Sequence, residues 1–239
     1  VVACALAAWG RHHGLDVGVM KPVATGGRFT ANGSAGRWVA EDARLLTAAA
    51  GVDDPWSLVN PVCFKEPLAP WTAARRAHTA IRLETALAAF RSLRTRHPFL
   101  IVEGVGGLLV PLGPRAPVAD LARRLGLPLV VVARPGLGTL NHTLLTLECA
   151  RRFHLPVRGV ILNHAHPPPR DPMARLAEET NPGILKRMAR VPLIGALPFL
   201  PALRGRHRVA SAGTAALSRW LARHLDPQFL DELIDTRVS

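Results

Sequence analysis

Five short apolar runs recur along the chain: 15–23 ("LDVGVMKPV"), 98–104 ("PFLIVEG"), 128–133 ("PLVVVA"), 157–164 ("VRGVILNH") and 191–198 ("VPLIGALP"). None alternates apolar with polar residues. A strand with one wet face alternates, whereas a continuous run is buried on both faces, as in a parallel sheet covered by helices. Helical spacing fills the intervals. Residues 1–9 place Val1, Val2, Ala5, Leu6 and Trp9 on one face, and residues 83–96 repeat Leu83, Leu87, Phe90 and Leu93. "EDARLLTAAAG" (41–51) is a third helix. "GTLNHTLLTLECARRF" (138–153) is a fourth, with a Thr/Asn cap candidate at its start. Residues 171–189 read as helix interrupted at Asn181-Pro182-Gly183, because proline removes a donor and clashes with the preceding turn. Strands alternating with helices predict a three-layer, doubly wound α/β domain with a mostly parallel sheet. That domain is expected over residues 1–225, followed by a helical tail over 226–239.

Composition narrows the class. The chain has 239 residues, 49% apolar and 20% charged, enough for a sizeable core. Cys4, Cys63 and Cys149 lie far apart, which argues against a disulfide framework or zinc site and fits a reducing cytoplasm. The apolar opening "VVACALAAW" has no basic leader and is too short to span a bilayer. With no initiator Met and a first residue already inside a helix, the sequence is expected to be truncated at its N-terminus. The net charge is +13. Its arginines are scattered through "RSLRTRH", "ARRLG", "ARRFH" and "RGRHR" rather than interleaved with aromatics. Nucleic acid is therefore not the expected partner.

Ligands of open parallel sheets bind at the carboxyl ends of the strands. Four polar residues fall there. Lys21 follows the first run and is one of three lysines in the chain. Its ammonium suits charge developing on a phosphate; the ordinary alternative is a lysine snorkelling from a strand end. Thr25, between Ala24 and Gly26, offers a hydroxyl to a polar substrate or simply turns the chain. Glu103 precedes Gly104, Gly106 and Gly107, so a carboxylate sits beside backbone that can approach an anion. Such a pairing suits Mg²⁺ bridging to phosphate, or else an ordinary turn with a solvated Glu. Asn163 ends the fourth run. Asp42 either caps its helix or supplies a second carboxylate. Gly136 and Gly138 precede a helix start, where free N–H groups receive anions.

Together the segments "KPVATGG", "NPVCFKEPLAPWTAAR", "VEGVGGLLVPL", "PLVVVARPGLGTLNHTLLTLECAR", "GVILNH" and "GALP" resemble the dethiobiotin synthetase family, over about residues 1–200. The resemblance implies a P-loop NTPase-like fold and a homodimer that uses ATP, CO₂ and Mg²⁺. In that family a ureido ring closes on 7,8-diaminononanoate through a carbamate and a carbamic-phosphoric anhydride. By the resemblance Lys21 is catalytic, Thr25 contacts substrate, and Asp42 and Glu103 are Mg²⁺ carboxylates. Glu103, Gly104, Val105 and Gly106 form a nucleotide-contacting turn. Asn163 with His164 reads adenine, and Pro198, Phe199 and Leu200 give a second adenine-side contact. Gly138, Thr139 and Asn141 match the place where the neighbouring subunit receives the substrate carboxylate. The family opens with a strand and a Gly-rich loop ending Gly-Lys-Thr, yet no Gly-Lys occurs in this sequence. Residues 28–39 match poorly, Trp71 replaces a smaller or imidazole side chain, and the match fades beyond about residue 203. Two alternatives stand: a cobyrinate-type ATP-dependent amidoligase, and a P-loop-less paralogue acting as a binding partner.

Overall fold

The computed structural model describes residues 1–32, 35–201 and 213–235. In chain order the elements run as follows. Helix α1 (Val2–His12) leads into β1 (Val17–Met20), β2 (Val23–Ala24), β3 (Arg28–Asn32) and β4 (Ala35–Val39). Next come α2 (Glu41–Ala50), α3 (Trp56–Val59), β5 (Val62–Cys63), α4 (Pro70–Arg76), α5 (Leu83–Arg94) and β6 (Phe99–Val102). The middle of the chain adds β7 (Pro111–Gly113), β8 (Ala116–Pro117), α6 (Val118–Leu125), β9 (Leu129–Ala133), α7 (Thr139–Arg152) and β10 (Val157–Asn163). The chain then forms α8 (Pro172–Met188), β11 (Leu193–Leu197), α9 (Thr214–Ala222) and α10 (Pro227–Asp235).

All five apolar runs contain strands, and all five strands pair in parallel. β1 pairs with β6 in the register Val17↔Phe99 to Met20↔Val102. β9, β10 and β11 form a second parallel group with β10 central. The hydrogen bonding of the parallel array is thus in two parts, with β6 and β9 each paired on one side. Every residue of β1 is buried, whereas β6 is only half-buried throughout and Val132 of β9 is exposed.

Period-two geometry explains why the runs do not alternate. Val17 and Val19 point into one core with α1, α2, α9 and α10, joined by Phe99 and Ile101. Met20 points the other way, into a core with Phe90 and Leu93 of α5 and Leu121 of α6, joined by Leu100 and Val102. Both faces of the sheet are therefore apolar, and the layers are helix, sheet, helix. Each fully buried Leu or Phe stabilises this arrangement by about 1.5–3 kcal/mol. Helix α1 buries residues around most of its circumference, because α2, α9 and the sheet all press on it. Phe229 and Leu230 of α10 join the same core.

Two expectations are corrected. Helix α8 runs unbroken through Pro182. The missing N–H is offset by anchoring on either side: the Asn181 amide donates to the Pro135 carbonyl at 2.9 Å, and Leu185 is fully buried. Helix α7 has no side-chain cap. Gly138, at φ 88°, is its N-cap, and Thr139 turns inward against Thr143. Residues 28–39, for which no element is predicted, hold an antiparallel hairpin in which Phe29 packs edge-on against Trp38 at 5.4 Å.

At the amino ends of β1 and β6 a charged clamp holds the strands. His97 donates from Nδ1 to Asp16 at 2.6 Å and from Nε2 to Asp54 at 2.8 Å. Arg96 also donates to Asp54, at 3.2 Å. Gly18 makes the room, since a Cβ there would lie 2.7 Å from the imidazole ring. Burial pushes the His97 pKa down, but hydrogen bonds and charge from Asp16 and Asp54 outweigh it, and the net shift is upward. A raised pKa adds stability that is complete below about 6.5, the unfolded value, and is lost as pH climbs through the folded value. The melting temperature of the native chain should therefore exceed that of His97→Gln most at pH 6, by about 2–4 °C. The gap should shrink towards pH 9. A gap independent of pH would remove the charge from the clamp.

Candidate active site

The register of β1 and β6 sets up the site. Because Met20 lies opposite Val102, the next residues, Lys21 and Glu103, emerge side by side at the carboxyl end. The Glu103 N–H donates to the Met20 carbonyl at 2.8 Å, continuing the ladder one step. Lys21 is 5% exposed. Its ammonium donates to Glu103 Oε1 at 2.6 Å and to the Gly104 carbonyl at 3.0 Å, and it pairs with Asp42 Oδ2 at 3.1 Å. Three acceptors match the three hydrogens of an ammonium. Burial works against this charge, yet the attraction and hydrogen bond of Glu103, followed by those of Asp42, hold the pKa of Lys21 above its ordinary value.

Asp42 reaches the cluster from the first turn of α2, whose N-cap is the backbone of Ala40 with no side-chain bond. Its carboxylate pairs with Lys21 and does not cap the helix. Acidic residues in a first turn also oppose the helix dipole favourably. The segment after Glu103 carries the left-handed conformation at Gly106 (φ 63°), where a Cβ would lie 2.7 Å from Val110. Gly104 has open space where a Cβ would project. Thr25 is half-buried in the turn after β2; among the described residues no interaction joins its hydroxyl to the cluster.

A residue unremarked in the sequence proves central. Asn60 is fully buried, and its amide bonds to both the Lys21 and Ala40 backbones. An Asn-Pro pair in sequence signals a turn, not a buried bridge.

The remaining site residues gather at the carboxyl ends of β9, β10 and β11. A cleft of about 410 Å³ is lined by Arg134, Pro135, Thr139, Asn163, His164 and Glu178, among others. His164 Nδ1 lies 3.4 Å from Glu178 Oε2. A neighbouring hollow of about 300 Å³ shares His164 and Glu178 and adds Pro198 and Phe199. Leu200 follows them, half-buried. Gly138 and Thr139 open α7 beside the first cleft, and Asn141, two residues on, is exposed. Trp71 sits half-buried in α4.

The donor set also bears on a metal. Among the described residues no three His, Cys, Asp or Glu gather into a metal-binding group. Mg²⁺ that takes its other ligands from phosphate and water needs only one or two carboxylates. Asp42 and Glu103 already converge on one cation, the Lys21 ammonium, so the pair fits such a role.

A doubly wound sheet with a polar cluster at its strand ends is the setting of many nucleotide-using domains. A family model described as an AAA domain matches residues 1–207, and the chain belongs to that family. Among curated relatives, the ATP-dependent dethiobiotin synthetase BioD of Thermodesulfovibrio yellowstonii is 39% identical over 197 residues, covering 80% of this chain and 79% of its own. The enzyme of the same name from Aromatoleum aromaticum is 42% identical over 199 residues, covering 83% and 84%. That from Anaeromyxobacter dehalogenans is 41% identical over 215 residues, covering 90% and 91%. Within the AAA-domain family, then, the chain belongs to the dethiobiotin synthetases. Among solved structures, the cell division ATPase MinD of Pyrococcus furiosus aligns over 93% of this chain and 92% of its own, with 16% identity and a TM-score of 0.43.

Removing either side of the ion cluster should have unequal effects. Lys21→Met should leave thermal stability unchanged or slightly raised, because Asp42 and Glu103 can still meet water. The double change Asp42→Asn with Glu103→Gln strands a buried ammonium. It should destabilise by about 2 kcal/mol, the low figure reflecting solvent screening of the carboxylates. Equal losses in denaturant titrations of the two variants would contradict this asymmetry.

Proposed function

We propose that the protein is an ATP-dependent ligase of biotin biosynthesis that closes the ureido ring of dethiobiotin on 7,8-diaminononanoate. The observation that carries this reading is the meeting of Lys21, Asp42 and Glu103 at one strand edge, in a chain whose relatives bear that enzyme's name. One amine of the substrate takes up CO₂ and loses a proton to give a carbamate. A carbamate oxygen attacks the γ-phosphorus of ATP, forming the anhydride and releasing ADP. The second amine then attacks the carbamoyl carbon, expels phosphate and closes the ring. Little covalent chemistry falls to the protein, whose part is positioning and neutralisation of charge.

In this reading Lys21 donates to the phosphoryl oxygens and carbamate, and Thr25 contacts the substrate. Asp42 and Glu103 hold Mg²⁺, which when bound neutralises charge on the nucleotide phosphates. The Glu103, Gly104, Val105 and Gly106 turn approaches the nucleotide. Asn163 and His164, with Pro198, Phe199 and Leu200, flank the base, consistent with the cleft and hollow at those strand ends. The work is done in the cytoplasm; the free cysteines fit such a setting, and among the described residues no helix is long and apolar enough to cross a membrane.

The reading extends to a homodimer. Burial around the start of α7 is inverted for a lone chain: Thr139 and Thr143 are covered while Leu145 is 60% exposed and Leu137, just before the helix, is 97% exposed. Neighbouring α8 exposes Met173 and Leu176. A second copy that covers this face would bring Gly138, Thr139 and Asn141 towards its neighbour's substrate. Light scattering should give twice the chain mass, and Leu145→Asp should shift the protein to monomer. A monomeric native protein would end the dimer reading.

The reaction is tested with protein encoded by the whole reading frame, supplied with diaminononanoate, bicarbonate and MgATP. Dethiobiotin, identified by mass, should form with one ADP per ring. Lys21→Ala should lower kcat at least about 100-fold while the far-UV spectrum is unchanged. ADP release that requires ammonia or glutamine instead of bicarbonate would favour the amidoligase chemistry.

A further inference from the structure

Asn60 stands immediately after α3 and is wholly buried. Its Nδ2 donates to the Lys21 carbonyl at 2.8 Å, and its Oδ1 accepts from the Ala40 N–H at 2.9 Å. The Val59 carbonyl, one residue earlier, accepts from the Lys21 N–H at 2.7 Å. The peptide units on both sides of Lys21 are therefore gripped by one two-residue segment. Ala40 is the N-cap of α2, and Asp42 lies two residues on. The amide thus joins the two backbone segments whose side chains, Lys21 and Asp42, meet at 3.1 Å.

We propose that Asn60 is a positioning residue for this site, acting through Lys21 and Asp42; its bearing on turnover rests on the ligase reading above. The job needs a donor and an acceptor on separate atoms of one short side chain, which the asparagine amide supplies. Aspartate would set an oxygen against the Lys21 carbonyl oxygen. An apolar side chain would leave the Lys21 carbonyl and the Ala40 N–H buried without partners. Either change frees the strand end from the helix start, and the Lys21 ammonium loses its fixed place between Asp42 and Glu103.

The chain has only three lysines, and Lys65 and Lys186 are exposed. Lysine side-chain NMR with carbon-13 and nitrogen-15 labelling therefore reports on Lys21 without any turnover. In the native protein one ammonium signal should be set apart from the other two and exchange slowly with water. Asn60→Asp should move that signal towards the exposed pair. Asn60→Ser, the milder variant should Asp fail to fold, should do the same. Asn181→Ser, an equal change at a buried amide on α8, should not. In the turnover assay Asn60→Ser should lower kcat about 10- to 100-fold with the KM for ATP little changed. On a Lys21→Ala background the further loss should be clearly smaller, since only the path through Asp42 remains. An unmoved Lys21 signal in both folded Asn60 variants overturns the proposal. So does a kcat loss that multiplies undiminished onto Lys21→Ala. If the native protein makes no dethiobiotin while the NMR signal still moves, the ligase reading falls and the positioning of Lys21 by Asn60 stands.

Discussion

A buried ammonium is the constraint around which this end of the molecule is organised. An isolated charge in an apolar interior is so unfavourable that it must find partners or lose its proton. Lys21 finds three acceptors, and a different feature of the backbone brings each one. Glu103 arrives because β1 and β6 pair in parallel register, so their ends fall together. The Gly104 carbonyl arrives because a glycine turn lets the chain fold back after Glu103. Asp42 arrives because α2 is tied to the Lys21 backbone through Asn60. Slip the β1–β6 register by one residue and Lys21 would face the opposite side of the sheet from Glu103. The charge therefore reports on, and depends on, the correctness of the surrounding fold.

The same pair of strands is closed at its other end by the same kind of chemistry, cations held between carboxylates. His97 and Arg96 meet Asp16 and Asp54 where β1 and β6 begin. Between the two charged ends lie only four residues per strand, apolar on both faces. Short strands of this kind have little ladder energy of their own. Side-chain burial above and below, together with polar clamps at each end, defines their register. Gly18 is part of that economy, since its missing side chain is what admits the imidazole.

Much of the fold and part of the site are legible in the sequence. Continuous apolar runs are legible because a strand covered on both faces has no polar positions to alternate. Lys21, Glu103 and Asn163 are legible because they interrupt those runs at the end where parallel sheets present their chemistry. Asn60 is not legible: its role lies in two backbone partners 20 and 39 residues away, and nothing local marks a long-range amide bridge. The His97 clamp is hidden likewise, by separations of 81 and 43 residues from its two carboxylates. Pro182 misleads for the converse reason. A local rule breaks the helix there, while a tertiary hydrogen bond from Asn181 and the burial of Leu185 hold it together. The dethiobiotin synthetase resemblance reaches Asp42, which spacing alone leaves between a cap and a ligand.

The proposed chemistry puts two demands on the same carboxylates. Asp42 and Glu103 neutralise Lys21 in the structure described here, and in the ligase reading they also hold a divalent cation. Two cations sharing one pair of carboxylates repel each other at contact distance unless further negative charge arrives with the second. Nucleotide phosphates supply that charge. In that reading Asp42 and Glu103 would hold the metal that accompanies the nucleotide, and the Lys21 ammonium would turn to the phosphoryl oxygens, its backbone still held by Val59 and Asn60. The lysine whose charge these carboxylates balance would then be the one that neutralises the reacting phosphate. The rigid grip on its backbone and the long, flexible stem of its side chain are what make both placements available to a single lysine.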